Sequence, residues 1–215
     1  VFLHPTQRKI VQKEYSGPAR VLGGAGTGKT VVAMHRAKWL AGQLRGREKI
    51  LFTTFTANLA ADIKDNLRKI CTTAEQKRIE VINLDAWVAQ FIRELGYSYS
   101  IAYDDTLTEV WEQAIILSGQ DIEFGAEFFS EEWLKVICAQ EAYSLELYLQ
   151  ASRLGRGTRL DRKKRMKIWR VFEVYQSLMK EKQLRDVETA MYECRKILEK
   201  SADNTHYVSI IVDEG

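Results

Sequence analysis

Eight consecutive residues, Gly23-Gly24-Ala25-Gly26-Thr27-Gly28-Lys29-Thr30, set a glycine-rich turn, an ammonium and a hydroxyl in the order that a bound triphosphate requires. Glycines let the backbone curl without Cβ clashes and turn its N–H groups inward. A following helix adds partial positive charge at its N-terminus. The stretch fits G-x-x-x-x-G-K-[ST], with a short apolar segment before it (residues 19–22) and a helical pattern after it (29–42). The expected ligand is ATP with Mg²⁺, cradled by Gly24, Ala25, Gly26, Thr27, Gly28, Lys29 and Thr30. Lys29 would reach the β- and γ-phosphates, and Thr30 would place its hydroxyl on the metal. The bland alternative is a chance glycine-rich turn; the strand-loop-helix order argues against it.

A site of this kind also needs an acid. Ile210-Ile211-Val212-Asp213-Glu214 supplies an apolar strand that ends in two carboxylates. Asp213 is expected to hold Mg²⁺ through water, and Glu214 to orient and deprotonate the attacking water. A lone acidic pair after an edge strand would carry little weight. With a phosphate loop in the same chain it becomes the expected partner of that loop.

The elements that must position these groups follow from hydrophobic spacing. Residues 19–22, 49–52 and 79–82 look like buried strands, and 29–42 and 56–70 like helices between them. Residues 207–212 (YVSIIV) are the last strand candidate. This β-α-β-α-β order predicts an α/β fold with a parallel sheet covered by helices. Between 84 and 206 no convincing strand is visible. Trp133, Val136, Ile137, Gln140 and Tyr143 fall near one helical face; Ile168, Phe172, Tyr175, Leu178 and Met179 form a second. Val187, Ala190, Met191, Cys194, Ile197 and Leu198 form a third, with Asp186 as its N-cap. Leu154-Gly155-Arg156-Gly157-Thr158 is the clearest linker. The sheet is therefore interrupted by a helical insertion and resumes at Tyr207. A stop at Gly215, directly after a strand, and the missing initiator Met suggest a piece of a longer protein.

Composition bounds the class. The chain has 215 residues, 46% hydrophobic and 28% charged, which excludes a disordered or collagen-like chain and a disulfide-stapled miniprotein. No apolar run approaches the roughly 20 residues that span a bilayer, and the opening VFLHPTQRK is no signal peptide. Cys71, Cys138 and Cys194 lie far apart, with no metal or redox spacing, so reduced thiols in a cytoplasmic protein are expected. The net charge of +3 identifies no partner, but its distribution is uneven. Residues 104–146 hold eleven acids and one base, Lys135; residues 153–170 hold nine bases and one acid, Asp161. The basic run is either a solvated face paired with the acidic segment or a surface for a phosphate backbone. Trp169 and Met166, which interleave it, are expected in the core.

With both motifs in place, the chain resembles the first ATPase domain of superfamily 1 helicases of the UvrD/Rep type. Leu3-His4-Pro5-Thr6-Gln7-Arg8 resembles that family's L-N-x-x-Q motif, which implies that Gln7 reads the adenine edge, with His4 in place of the asparagine. His35-Arg36 also matches the family's habit on the helix after the loop. Thr53-Thr54-Phe55-Thr56-Ala57-Asn58 resembles the strand-contacting T-F-T-N-K-A-A motif, so Phe55 and Asn58 are implied to touch nucleic acid. Phe55, which follows a buried strand, could equally be core. Residues 81–87 depart from the next motif, with Leu84 and Asp85 in the Phe-His positions, and Val31 stands where many relatives carry an arginine.

The resemblance implies a RecA-like parallel sheet, domain 1A, at 1–97 and 205–215, interrupted by an all-helical insertion, domain 1B, at 98–204. It implies an ATP hydrolase that moves on single-stranded DNA, meets a junction of single and double strand, and requires a second RecA-like half beyond this chain. Arg162, Lys163 and Lys164 are the expected nucleic-acid contacts of the insertion. RNA in place of DNA, another P-loop NTPase such as a kinase or clamp loader, and a binding module with a vestigial nucleotide site stay open as alternatives. No membrane partner is expected.

Overall fold

The computed structural model describes residues 3–200 and 206–213. The chain divides into two compact units, one built from Val1–Trp87 with Leu198–Gly215 and the other from Val88–Ile197.

The first unit holds a three-stranded parallel sheet in the order β2-β1-β5: β1 is Lys49–Thr54, β2 Ile79–Asn83 and β5 Tyr207–Val212. Phe52 pairs in register with Val81 on one side and Ile211 on the other. Four helices accompany it: α1 (Pro5–Gln12), α2 (Lys29–Ala41), α3 (Ala57–Ile70) and α4 (Thr73–Arg78). Both α3 and α4 start on threonine caps. The Thr56 hydroxyl accepts from the N–H of Leu59, and Thr72 forms a reciprocal box with Glu75. Met34, Ala37 and Ala41 of α2 and Ile63 and Leu67 of α3 bury the apolar positions of each helix against Ile50, Phe52 and Ile79.

Residues 19–22 form no strand, contrary to the sequence expectation. Leu22 is 77% exposed and Val21 is exposed. A strand exists only through its ladder, and this segment lies between Pro18, which has no N–H, and two glycines. Strand β5 is correspondingly an edge strand among the described residues. Its alternation puts Val208, Ile210 and Val212 on an exposed face, while Ile211 packs into the core.

The second unit is mainly helical: the rest of α5 (Leu84–Glu94), α6 (Asp104–Leu117), α7 (Ala126–Glu132), a π-helical turn at Trp133–Cys138, α8 (Leu145–Gln150), α9 (Arg162–Glu181) and most of α10 (Val187–Lys200). Strands are nonetheless present. β3 (Ser100–Ile101) pairs in parallel with β4 (Leu184–Arg185), so this unit is not all-helical. Two residues are too few to leave a period-two pattern. The helical face read from Trp133 to Tyr143 is cut short: the π-helical turn ends at Cys138 and a turn with Glu141 at φ 54° follows.

An aromatic core holds this unit. Trp111 stacks on Tyr175 with ring centroids 3.5 Å apart, ringed by Phe129, Trp133 and Phe172. Trp169 joins this core, whereas Met166 is 48% exposed, because α9 turns its basic first face to solvent. Asp186 caps α10, accepting from the N–H of Thr189 at 2.8 Å and from the Tyr175 hydroxyl at 3.1 Å. The three cysteines are free thiols, Cys71 and Cys194 buried and Cys138 half-buried.

Candidate functional site

The phosphate loop is assembled from its neighbours. Helix α1 starts on His4, whose ring nitrogen accepts from Thr6, while the Gln7 side chain accepts from the N–H of His4 at 3.0 Å. That box fixes Gln7, which donates from Nε2 to the Thr27 carbonyl at 3.1 Å. Gly28 caps α2 in the left-handed region at φ 85°, and a Cβ there would stand 3.1 Å from Gln7 Nε2. The left-handed conformation favours glycine there, and any Cβ would also push the Gln7 amide back by a few tenths of an ångström. Thr27 Oγ1 donates to the Gly24 carbonyl at 2.9 Å.

Lys29 begins α2, and its ammonium donates to the carbonyls of Gly23 and Gly24, both at 2.8 Å. The charge is thus poised across the loop, where incoming phosphate oxygens can replace two neutral carbonyls with charge-assisted partners. Thr30, one position on, is half-buried in the first turn of α2.

Arg36 ties α1 to α2. It donates to the carbonyls of Val11 and Lys13 at 2.6 and 2.7 Å and stacks between Tyr15 and Trp39. Sequence spacing marks Arg36 only by resemblance; its task of holding the end of α1 against the loop helix is visible in the hydrogen bonds alone.

At the C-terminal ends of β1 and β5, Asp213 donates its N–H to the Thr53 carbonyl at 2.9 Å. Its carboxylate is buried, and Oδ2 has no hydrogen-bond partner. The hydroxyls of Thr53 and Thr54 are buried and unpartnered as well. Ligands of open parallel sheets bind outside the carboxyl ends of the strands. An orphaned carboxylate there suits a hard cation, so the residues fit Mg²⁺. Among the described residues no group of three His, Cys, Asp or Glu side chains gathers for a metal. Mg²⁺ of this kind takes only one or two carboxylates and completes its shell with phosphates and water. Glu214 lies outside the described residues.

Phe55 leaves the end of β1 with 79% of its surface exposed, so it is not core. Asn58, in the first turn of α3, is exposed too. Both belong to the first unit, at the same end of the sheet as Asp213.

The basic run of the second unit is sorted by its partners. Glu132, wholly buried, accepts from Arg153 at 2.5 and 2.9 Å, from Arg156 at 3.0 Å and from the Tyr148 hydroxyl at 2.9 Å. Burial alone would raise this carboxyl, but the hydrogen bonds from Arg153, Arg156 and Tyr148 hold it below the usual range. Glu131 is held down to about 2 by hydrogen bonds from Lys135 and Arg156. Arg165 donates to the carbonyls of Tyr148, Leu149 and Ala151, closing the end of α8. Lys164 pairs with Glu123 at 3.3 Å, and Arg170 with Glu173 at 2.9 Å. Arg159, Arg162, Lys163 and Lys167 are exposed and form no ion pair among the described residues. Sequence reading missed the Glu132 centre. The one signal for it was an acidic pair, Glu131-Glu132, in the same unit as a linker that carries Arg156 and is preceded by Arg153.

No helix among the described residues is long and apolar enough to cross a membrane. A protein named "Probable DNA helicase II homolog" from Mycoplasma pneumoniae (strain ATCC 29342 / M129 / Subtype 1) is 29% identical over 86 residues, 40% of this chain and 12% of that protein. The match thus spans a small part of the relative's length. The profile of the UvrD/REP helicase N-terminal domain family matches residues 3–214, together with the loop, the parallel sheet and the terminal carboxylate described above. The chain belongs to the UvrD/REP helicase N-terminal domain family.

Proposed function

We propose that this chain is the nucleotide-binding part of an ATP-driven helicase or translocase that moves on single-stranded DNA. The observation that carries the reading is the loop of residues 23–30 with Lys29 poised across it, in a unit whose strand β5 ends in the unpartnered Asp213 carboxylate. The loop amides and Lys29 bind and orient the β- and γ-phosphates. Gln7, whose side chain donates to the Thr27 carbonyl, would read the adenine edge. Thr30 and Asp213 would hold Mg²⁺, which supplies charge neutralisation at the transferred phosphoryl group. Glu214 would take the proton of the attacking water. Phe55 offers a ring on which any base can stack. Arg162, Lys163 and Lys164 form the basic start of α9 and are proposed to meet the phosphate backbone near a strand junction. The sheet unit is read as RecA-like domain 1A and the helical unit as its insertion, 1B. A second RecA-like half completes the machine, in a soluble cytoplasmic setting.

The test is ATP hydrolysis by the full-length protein that carries this chain, with and without single-stranded DNA. Stimulation is expected, and Glu214→Gln should abolish turnover while nucleotide binding persists. Hydrolysis indifferent to DNA and RNA would point to another P-loop NTPase. Stimulation by RNA alone would change the substrate. Strand binding without hydrolysis would leave a binding module.

A further inference from the structure

A cavity of about 550 Å³ lies inside the helical unit, between the π-helical turn, α9 and α10. That is the size of sites that hold small molecules, roughly 300–1,000 Å³. No residue of the phosphate loop lines it. Its wall is aromatic, with Trp133, Tyr143, Tyr175 and Tyr192. It is also where unmade hydrogen bonds collect: Trp133 Nε1, Gln176 Nε2 and Thr189 Oγ1 are buried and without a partner. Trp133 is 5% exposed. Native interiors keep few such atoms, and three on one cavity wall require an explanation.

The wall's charges indicate what is missing. Its carboxylates are already accepting: Asp186 from Tyr175 and Thr189, Glu193 from Tyr99 and Arg185, Glu173 from Trp169 and Arg170. The uncommitted groups can all donate: the Trp133 indole N–H, the Gln176 amide N–H and the Thr189 hydroxyl, which can also accept. A ligand that satisfies them is flat and carries acceptors on its edge. A smaller hollow of about 260 Å³ shares Lys180 and Arg185 with the cavity, and Lys180 forms no ion pair among the described residues. The ligand therefore has room for an anionic group beside its ring.

We propose that this cavity is a nucleobase site, which takes one unstacked keto base among the aromatic rings with its phosphate towards Lys180. Keto bases, thymine above all, offer carbonyl oxygens to the donors of Trp133, Gln176 and Thr189. Adenine carries its acceptors as ring nitrogens and sets an exocyclic amine, itself a donor, against the donors of the wall. The three polar atoms are closed to water as the wall stands, so entry turns the half-buried Gln176 and Thr189 side chains. The choice of a nucleic-acid base rests on the helicase reading above; the aromatic, donor-rich cavity does not.

The experiment follows the Trp133 indole N–H resonance by ¹⁵N NMR, identified by its loss in Trp133→Phe. A Lys29→Ala background weakens binding at the phosphate loop, and the Trp133 resonance reports on the cavity alone. The probes are dTMP, dAMP, a twelve-residue oligothymidylate and the same strand with one abasic position. The expected result is a saturable shift with dTMP, at least about 5-fold tighter than with dAMP. Gln176→Leu and Thr189→Val should each weaken it about 3- to 10-fold, the equivalent of one neutral hydrogen bond. Both replacements remove an orphaned polar group, so neither should lower the melting temperature much. A resonance unmoved by millimolar dTMP and by the strand, or a shift that both variants leave intact, overturns the proposal. If the strand binds in a salt-dependent way and the resonance stays still, the cavity proposal falls while the strand-binding reading stands. If dTMP moves it and no strand binds, the site is one for free nucleotides and the strand-binding reading falls.

Discussion

Lys29 and Glu132 are two charges set by opposite means. Lys29 rests on two backbone carbonyls that it can exchange for phosphate. Replacing it with alanine removes a charge-assisted hydrogen bond worth about 1.5–3 kcal/mol, so affinity for Mg·ADP or Mg·ATP should fall roughly 10- to 150-fold by calorimetry. Equal affinity in wild type and Lys29→Ala would remove the loop from the site. Glu132 is locked by Arg153, Arg156 and Tyr148. Its carboxyl is held below the ordinary range, so the stability it lends is present above the unfolded value of about 4.3 and is lost as pH falls through the lower folded value. Glu132→Gln leaves Arg153 without a carboxylate and Arg156 with Glu131 alone, and should cost about 3–5 kcal/mol at neutral pH. The same variant should lose stability less steeply than wild type when thermal melts are followed below pH 5. A melt that matches wild type at pH 7 would show that the buried cluster contributes little.

At the scale of elements, helix α9 carries two tasks on two faces. Ile168, Trp169, Phe172 and Tyr175 enter the aromatic core, while Arg162 and Lys163 stand free in solvent at its start. If those bases neutralise a phosphate backbone, every one removed should reduce the slope of log K against log salt by about 0.7–0.9. Changing Arg162, Lys163 and Lys164 together to alanine should therefore weaken strand binding and flatten that slope, with ATP affinity unchanged. An unchanged slope with a lowered melting temperature would assign the bases to internal pairing, as Lys164 with Glu123 exemplifies. The same helix shows what sequence spacing can reveal. Its core face was legible because a long amphipathic period is redundant; one ambiguous position, Met166, does not blur it. β1, β2 and β5 were legible as apolar runs with neighbours to pair with. Residues 19–22 were not, because apolarity records a wish for burial and carries no information on which ladder is free to take it. The loop at 23–30 was legible because phosphate chemistry fixes both residue types and spacing. The Glu132 cluster was hidden, since its arginines lie more than twenty positions away and no local rule joins them.

On the scale of the whole molecule, the division into two units makes separate failures measurable. Trp111→Ala should remove the stacking partner of Tyr175 and cost about 3–5 kcal/mol, destabilising the helical unit alone. Nucleotide binding at the loop of the other unit should survive it, as calorimetry on the folded fraction would show; joint loss would mean that the units fold as one. The cysteines make such events chemically visible. Burial, aided by Glu75 and opposed by Lys38, pushes the Cys71 thiol up to about 11, and burial pushes Cys194 to about 11 as well. Burial and the nearby Asp186 raise Cys138 too. At pH 8 a thiol of that kind is thiolate only about once in a thousand molecules, against roughly a quarter for a free cysteine near 8.5. Alkylation in the native protein is thus slow for both chemical and steric reasons, and each act of labelling records an opening of the fold. Cys71 keeps time for the sheet unit, and Cys138 and Cys194 for the helical one. Mass spectrometry after a brief pulse of iodoacetamide would read the two clocks separately. Mg·ATP should slow the clock at Cys71 in proportion to its occupancy of the loop.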